Sequence, residues 1–408
     1  MSWQTVKLGD VMTVGRGSSP RPIKDERFFT GGTIPWVKIA DATASGKFIY
    51  QTNQHVNDYG ASFSRKLKPG ALIFPASGTL GIPRFLGVEA CIHDGWLYFS
   101  DYQGIDPDWL YYRIILLKNY YEGIAYGAAI QNINTDIVRN TEIQLPDLAT
   151  QRAMTAVLGT YDDLIATNQR RIALLEDAAR RLYREWFVHL RFPGHESVPV
   201  KDGVPEGWAM STVDAFGGIE TGKTPVTANS AYFGGDIPFI KTPDMHGKMI
   251  TNSSEQTLST LGSDSQKKKL LPAGSVAVSC IGTVGVVAII GKPSHTNQQI
   301  NAVKPTKNFY RVYLYFALSD LKEYMLGLGG GSTMANISKS KFASMAILKP
   351  EDKVLKGFEE SVEPFISQIE MLGLTNTKLA QARDLLLPKL MSGQLDVSGI
   401  ALPDEVAA

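Results

Sequence analysis

The chain repeats itself once. WQTVKLGDVMTVGRGSSP (3–20) has a partner in WAMSTVDAFGGIETGKTP (208–225), each running from a tryptophan to Gly-x-x-Pro at equal spacing. GGTIPWVKIAD (31–41) returns as GGDIPFIKTPD (234–244), and LKPGALIFPASGTLG (67–81) as LPAGSVAVSCIGTVG (271–285). WLYYRI (109–114) returns as YLYFAL (313–318), and GAAIQNI (127–133) as GSTMANI (331–337). A shift of about 204 residues is too long for a solenoid. It implies two copies of one domain. Within each copy, strand-like runs (VKIAD, ALIFPAS, GSVAVSC, VGVVAII) alternate with Gly/Pro/Asn turns. One helix is expected at 107–121, opened by Pro107, with a counterpart at about 310–325.

The second copy of the first repeat contains GGIETGKTP (217–225). Gly217, Gly222, Lys223 and Thr224 fit the nucleotide-binding pattern G-x-x-x-x-G-K-[ST]. A phosphate loop needs a strand leading in and a helix leading out, whose N–H groups cradle the phosphates. AMSTVDAF passes as the strand, but PVTANSAYFGGDIP is no helix. The equivalent stretch MTVGRGSSP (12–20) lacks Gly-Lys-Thr altogether. Two copies of one fold use a turn alike, so this one reads as a glycine turn carrying an exposed lysine.

At 408 residues there is room for two or three domains, and 44% hydrophobic with 20% charged content suits a folded, soluble protein. Cys91 and Cys280 lie far apart with no CxxC, which argues against a disulfide framework or zinc knuckle and fits a reducing cytosol. The histidines form no H-x-x-x-H pair, and no metal site is expected. The polar N-terminus is no signal peptide, and VAVSCIGTVGVVAII (276–290) is too short and glycine-broken to span a bilayer. It reads as buried strands around a turn. The net charge of +1 hides an uneven distribution: residues 205–349 carry 14 basic and 9 acidic residues, residues 350–408 carry 5 and 10. The basic segment hints at a polyanionic partner.

A helical stretch follows each copy. In 151–187 the residues Leu158, Tyr161, Ile165, Asn168, Ile172, Leu175, Ala179, Leu182 and Trp186 recur at alternating steps of three and four. In 351–387, Leu355, Phe358, Val362, Phe365, Ile369, Leu372, Asn376, Leu379, Arg383 and Leu386 do the same. This is a coiled-coil seam sustained over about four heptads, and each helix would span roughly 55 Å. Each seam is interrupted by one asparagine, a residue that fixes register. An antiparallel pairing with Asn168 facing Asn376 sets Leu158 against Leu386, Trp186 against Phe358 and Ala179 against Phe365. Pro364 should kink or split the second helix, and Pro388 and Gly393 mark its exit.

The fold expected is therefore α+β: two tandem, pseudo-repeated mixed domains with two long helices packed as an antiparallel coiled coil. Domain one covers 1–146, the central helix 147–190, a Pro/Gly-rich linker 191–207, domain two 208–349, the distal helix 350–393 and a tail 394–408. Antiparallel helices would set the domains at opposite ends, related by a pseudo-twofold axis. No methyltransferase N-P-P-[YF], G-x-S-x-G, H-E-x-x-H or EF-hand pattern occurs, so no catalytic residue is assigned. Two similar domains on a rigid rod form a ruler, the geometry with which dimeric proteins read spaced DNA half-sites.

The layout resembles the specificity (S) subunit of type I restriction–modification systems. IPWVKIAD and IPFIKTPD resemble a segment of its target-recognition domains, LPDLATQR (145–152) the leader into its central helix, and ARDLLLPKLMSGQLDV (382–397) its C-terminal signature. The second leader, KPEDKVLKGF, departs by lacking Gln-Arg. The resemblance implies a cytoplasmic, non-catalytic subunit without cofactors of its own. Each recognition domain would read one half of a bipartite, asymmetric site in double-stranded DNA, with the helices setting the spacer. Two methyltransferase subunits would dock on the helical and domain surfaces and methylate adenine N6 with S-adenosylmethionine. Two motor–nuclease subunits would bring ATP, Mg²⁺ and cleavage.

DNA readers combine phosphate-binding cations with polar groups on base edges. Candidates in domain one are Arg16, Arg21, Lys24, Lys38, Ser77, Thr79 and Arg84. In domain two they are Lys223, Lys241, Lys248, Lys267, Lys268, Lys269 and Thr283, with Asn297, Gln298 and Gln299 as adenine-type amides. Tyr183, Phe187, Leu387 and Leu390, outside the seam, are candidate contacts for partner subunits. The competing readings are a protein-binding scaffold built from duplicated domains, and an enzyme with a genuine phosphate loop.

Overall fold

A computed structural model describes residues 3–76, 82–127, 132–328, 336–397 and 399. Its contacts divide into two compact units, one from the residues up to Thr167 together with those from Thr377, the other Asn168–Asn376. Both long helices are thus shared between the units at the seam asparagines.

In the first unit a five-stranded sheet has the order Thr13–Arg16, Trp96–Ser100, Leu72–Pro75, Arg84–Leu86, Phe48–Ile49. Alternation along a strand sends successive side chains to opposite faces. Leu72 and Phe74 accordingly join Trp109, Leu110, Leu158, Leu387 and Leu390 in one core, while Ile73 joins Val37, Ile92 and Trp96 in another. The helix expected at 107–121 is two helices, Pro107–Leu116 and Lys118–Gly127, broken at Leu117. Asp106 caps the first by accepting from the N–H groups of Asp108 and Trp109, and Pro107 stands in its first turn.

The second unit repeats this plan in the order Gly217–Thr221, Ile300–Pro305, Val276–Ser279, Val287–Ile290, Ile250–Thr251. The apolar run 276–290 is indeed two strands paired antiparallel around a turn. The counterpart helix is again double, Arg311–Asp320 and Lys322–Leu328. In each unit a second sheet sets one strand parallel to another: Ile34–Val37 beside Ala90–Ile92, and Phe233–Ile240 beside His295–Thr296. The run VKIAD is only half strand. The chain turns into a short helix at Ile39–Ala44, because Asp41 accepts from the Lys38 N–H at 2.8 Å and closes the turn. Asp244 does the same for Lys241 at 2.8 Å. The shared Lys-x-x-Asp of the two repeats is thus a turn device.

The long helices are Leu148–Tyr183, continued by a π turn over Arg184–Val188, and Asp352–Met391. The second is not split at Pro364: the ring lies on the exposed side and the helix runs through it, and through Pro388 as well. Along 163–175 every residue is exposed except the seam positions Ile165, Asn168, Ile172 and Leu175. Trp186 packs on Phe358 with ring centroids 5.7 Å apart, and Leu158 and Leu386 share a core. Ala179 and Phe365 belong to one core as well, with Ile366, absent from the expected seam, buried beside Phe365. Leu182, Ile369, Leu372 and Leu379 are partly or fully buried.

Tyr183, Phe187, Leu387 and Leu390 do not face outward. All four are buried, Tyr183 and Phe187 against Tyr313 and Phe358, Leu387 and Leu390 in the core around Trp109. Each globular fold wraps the end of a helix and covers the positions that the heptad leaves free.

Gln151, from the leader LPDLATQR, is fully buried. Its amide donates to the Gly104 carbonyl at 3.0 Å and the Pro146 carbonyl at 2.7 Å, and accepts from the Asp106 N–H at 2.7 Å. It fastens the helix to the globular fold. Leu355 occupies the corresponding place in the second unit, buried in its core. There the entry is held by Asp352, which accepts from the Tyr310 hydroxyl at 2.6 Å and pairs with Lys307.

Candidate nucleic-acid interface

In the first domain, Arg16 pairs with Leu97, Val37 with Ile92, and Ile92 with Arg65. The residues after Arg16, Val37 and Ile92, and those before Arg65 and Trp96, therefore emerge at one end of the two sheets. The turn 93–95 joins the sheets there. Arg16 donates its Nε–H to the Asp94 carbonyl at 2.7 Å, and Arg21 pairs with the Asp94 carboxylate at 2.5 Å. The Ser19 hydroxyl donates to the other carboxylate oxygen at 2.7 Å. Partial burial works against the charge on Asp94, but the Ser19 hydrogen bond and the Arg21 guanidinium hold its carboxyl below the usual range. Lys38 lies 5.4 Å over the Trp36 ring at the same end, and Lys24 is exposed in the loop beyond Arg21.

The second domain builds the same end with the same bonds. Gly17 N–H donates to the Trp96 carbonyl and Ser18 N–H to that of Ile92; Gly222 N–H donates to Ile300 and Lys223 N–H to Thr296. A Cβ on Gly17 would fall 2.1 Å from the His93 carbonyl oxygen, and one on Gly222 2.1 Å from that of Asn297. Only glycine permits this approach, which is why both copies read Gly-x-x-Pro. GGIET is itself a strand, no helix follows, and the Gly222 and Lys223 N–H groups are consumed by backbone carbonyls. No phosphate cradle exists here.

Lys223 is exposed at this end. Lys241 lies 5.7 Å over the Phe239 ring, as Lys38 does over Trp36. Asn297 is buried in the turn, where it accepts from the Gln299 N–H at 3.2 Å and donates to the Gln299 side chain at 3.0 Å. Gln298 is exposed, and its Oε1 accepts from the Thr224 hydroxyl at 2.6 Å. The bridge between Leu271 and Ser294 brings the 3-10 turn Lys267–Lys269 alongside. Lys267 and Lys268 are exposed, whereas Lys269 is paired with Glu220 at 2.6 Å. Burial raises the Glu220 carboxyl, but Lys269 and Lys304 together hold it below its ordinary value. Lys248 and Thr283 are exposed on turns. Arg84 is partly buried, donating to the carbonyls of Ala42 at 3.0 Å and Pro83 at 2.9 Å, and burial depresses its pKa. Ser77 and Thr79 lie outside the described residues.

Four residues at this end were not among the sequence candidates: Ser19, Arg65, His93 and Asp94. Arg65 is exposed and stacks 5.4 Å over the Tyr98 ring, in the place that Lys269 takes in domain two. His93 accepts from the Gly95 N–H through Nδ1 at 2.8 Å, and burial lowers its pKa. Aligning CIHDGWLYF with the run around HTNQQ would have exposed His93-Asp94 as partners of Asn297-Gln298.

A sequence profile of the type I restriction modification DNA specificity domain matches residues 1–177 and again 205–370. The chain belongs to this family. Each match covers one copy of the repeat and part of the long helix that follows it. A type I specificity subunit, HindI of Haemophilus influenzae, is 26% identical over 96% of this chain and 99% of its own length. The MjaIX specificity subunit of Methanocaldococcus jannaschii is 23% identical over 97% of this chain and 94% of its own. Among solved structures, the type I S subunit from M. genitalium superposes with a TM-score of 0.57 at 13% identity, covering 95% of this chain and 96% of the other, a likeness of fold. Among the described residues of this specificity-family chain, no group of His, Cys, Asp and Glu is placed to hold a metal ion, and no helix is long and apolar enough to cross a membrane.

Proposed function

We propose that this chain is the DNA-reading subunit of a type I restriction–modification complex, and that each domain reads one half of a bipartite, asymmetric site through the sheet end described above. The observation that carries this is the equivalence of the two ends: the same glycine turn, the same backbone bonds and the same lysine over an aromatic ring, dressed with different polar groups. A shared frame with divergent tips is what two half-sites of unlike sequence require.

In this reading Arg16, Arg21, Lys24, Lys38 and Arg65 face the DNA from domain one, and Lys223, Lys241, Lys267, Lys268 and Gln298 from domain two. The cations fix position on the phosphates, and the turn side chains address base edges. The long helices set the spacer and dock two methyltransferase subunits. Those partners bind S-adenosylmethionine and methylate adenine N6; two motor–nuclease subunits supply ATP hydrolysis, Mg²⁺ and cleavage. This chain itself carries no cofactor and no catalytic group.

The test is binding of the purified complex with its methyltransferase to genomic duplex fragments across a salt series. Sequence-selective binding that vanishes without this chain, with affinity falling steeply as salt rises, is expected. Equal selectivity from the methyltransferase alone would overturn the proposal.

A further inference from the structure

The tip of the shared turn differs between the domains in one coherent way. Asp94 and Gln298 occupy the same place, each accepting from the equivalent hydroxyl, Ser19 at 2.7 Å and Thr224 at 2.6 Å. Two residues after that hydroxyl, domain one carries Arg21 and domain two Val226, the latter 67% exposed. Arg21 is paired with Asp94, whereas Val226 brings no charge to Gln298.

The hydroxyl matters because it fixes an orientation. A carboxylate held on one oxygen by Ser19 presents the other to Arg21, and Arg21 spends one Nη on it. The remaining N–H groups of the planar guanidinium keep the forked geometry that matches O6 and N7 of guanine. An amide held through Oε1 by Thr224 keeps a second lone pair on that oxygen and both hydrogens on Nε2. This is the donor–acceptor pair that matches N7 and N6 of adenine.

We propose that this one turn position sets a base preference in each half-site: Asp94 as a positioning residue that aims Arg21 at a guanine, and Gln298 as a direct reader of an adenine. The inference rests on the DNA-reading function proposed above.

It is tested by co-expressing the full chain with its methyltransferase and mapping N6-methyladenine in host DNA for wild type, Arg21→Ala, Asp94→Asn, Gln298→Ala and Gln298→Glu. Gln298→Ala is expected to relax one adenine position in one half-site by roughly 5- to 150-fold, the discrimination a bidentate contact carries, and to leave the other half-site unchanged. Gln298→Glu keeps the acceptor for Thr224 and loses the donors, so that position should shift from adenine toward cytosine. Arg21→Ala should relax one guanine in the other half-site, and Asp94→Asn should relax that same guanine less. Methylation that retains the wild-type motif in the Gln298 and Arg21 variants overturns this inference while leaving the DNA-reading function intact. A wild-type map without any two-part motif overturns both. Gln298 and Arg21 are exposed, and loss of methylation is distinguished from misfolding by co-purification of the methyltransferase.

Discussion

Asn168 donates its Nδ2–H to Oδ1 of Asn376 at 2.9 Å across the seam of the two long helices. The neighbouring pairs keep the same antiparallel register. Asp162, six residues before Asn168, meets Arg383, seven after Asn376, in an ion pair of 2.6 Å that also takes the Tyr112 hydroxyl at 2.6 Å. A part-buried amide pair in a mostly apolar seam costs stability and specifies alignment. Replacing one partner alone takes the cross-seam hydrogen bond from the other. Asn168→Leu should therefore lower stability by about 0.5–1.5 kcal/mol in chemical denaturation, and adding Asn376→Leu should restore most of it. A double variant as unstable as the single one would show that the amide pair does not act as a unit.

Gln151 satisfies three backbone groups at the root of the first helix. Gln151→Leu mimics Leu355 in the second unit but lacks the Asp352 anchoring found there. We expect a loss of roughly 2–4 kcal/mol, from one or two groups left buried without partners. An unchanged denaturation midpoint would contradict the fastening role.

His295 is fully buried, with Nε2 2.8 Å from the Ser263 hydroxyl, and burial depresses its pKa. The folded ring takes a proton less readily than the unfolded ring. Its contribution is therefore present above the unfolded pKa of about 6.5 and is lost as pH falls below it, by up to about 1.4 kcal/mol per pH unit. Stability measured between pH 7 and 5 should decline, and His295→Gln should flatten that decline. An equal slope in the variant would remove His295 as the cause.

Lys223 is the residue on which a phosphate loop would depend. Its N–H is already bound to the Thr296 carbonyl, so Lys223→Ala should have no consequence for ATP, which the purified chain should not bind. It should weaken DNA binding by the complex across all sequences and reduce the slope of log affinity against log salt by about one. ATP binding by the wild type that the variant loses would contradict this.

The duplication and the seam were legible in the sequence because both are periodic. The seam residues around Asn168 stand alone as covered positions, so period and burial coincide there. Tyr183, Phe187, Leu387 and Leu390 were misread because a heptad shows which face meets the other helix, not that a globular fold closes over the rest. The broken helices at Leu117 and Leu321 were hidden by continuous apolar character. At the shared sheet end, the positions of Lys38, Lys241, Lys223 and Gln298 were marked by motif and charge. Asp94 and His93 were not, since a lone acidic or imidazole side chain in a turn carries no local signal. Their place emerges only when CIHDGWLYF is set against the run around HTNQQ, opposite Gln298 and Asn297.

The central claim is that two unlike sheet ends on one chain read two unlike half-sites. The most direct measurement is single-molecule mapping of N6-methyladenine in a host expressing the methyltransferase with and without this chain. The account predicts a two-part motif with a fixed gap, present only when the chain is present. A new motif in one contiguous part, or no new motif although both proteins are soluble and associated, would contradict it.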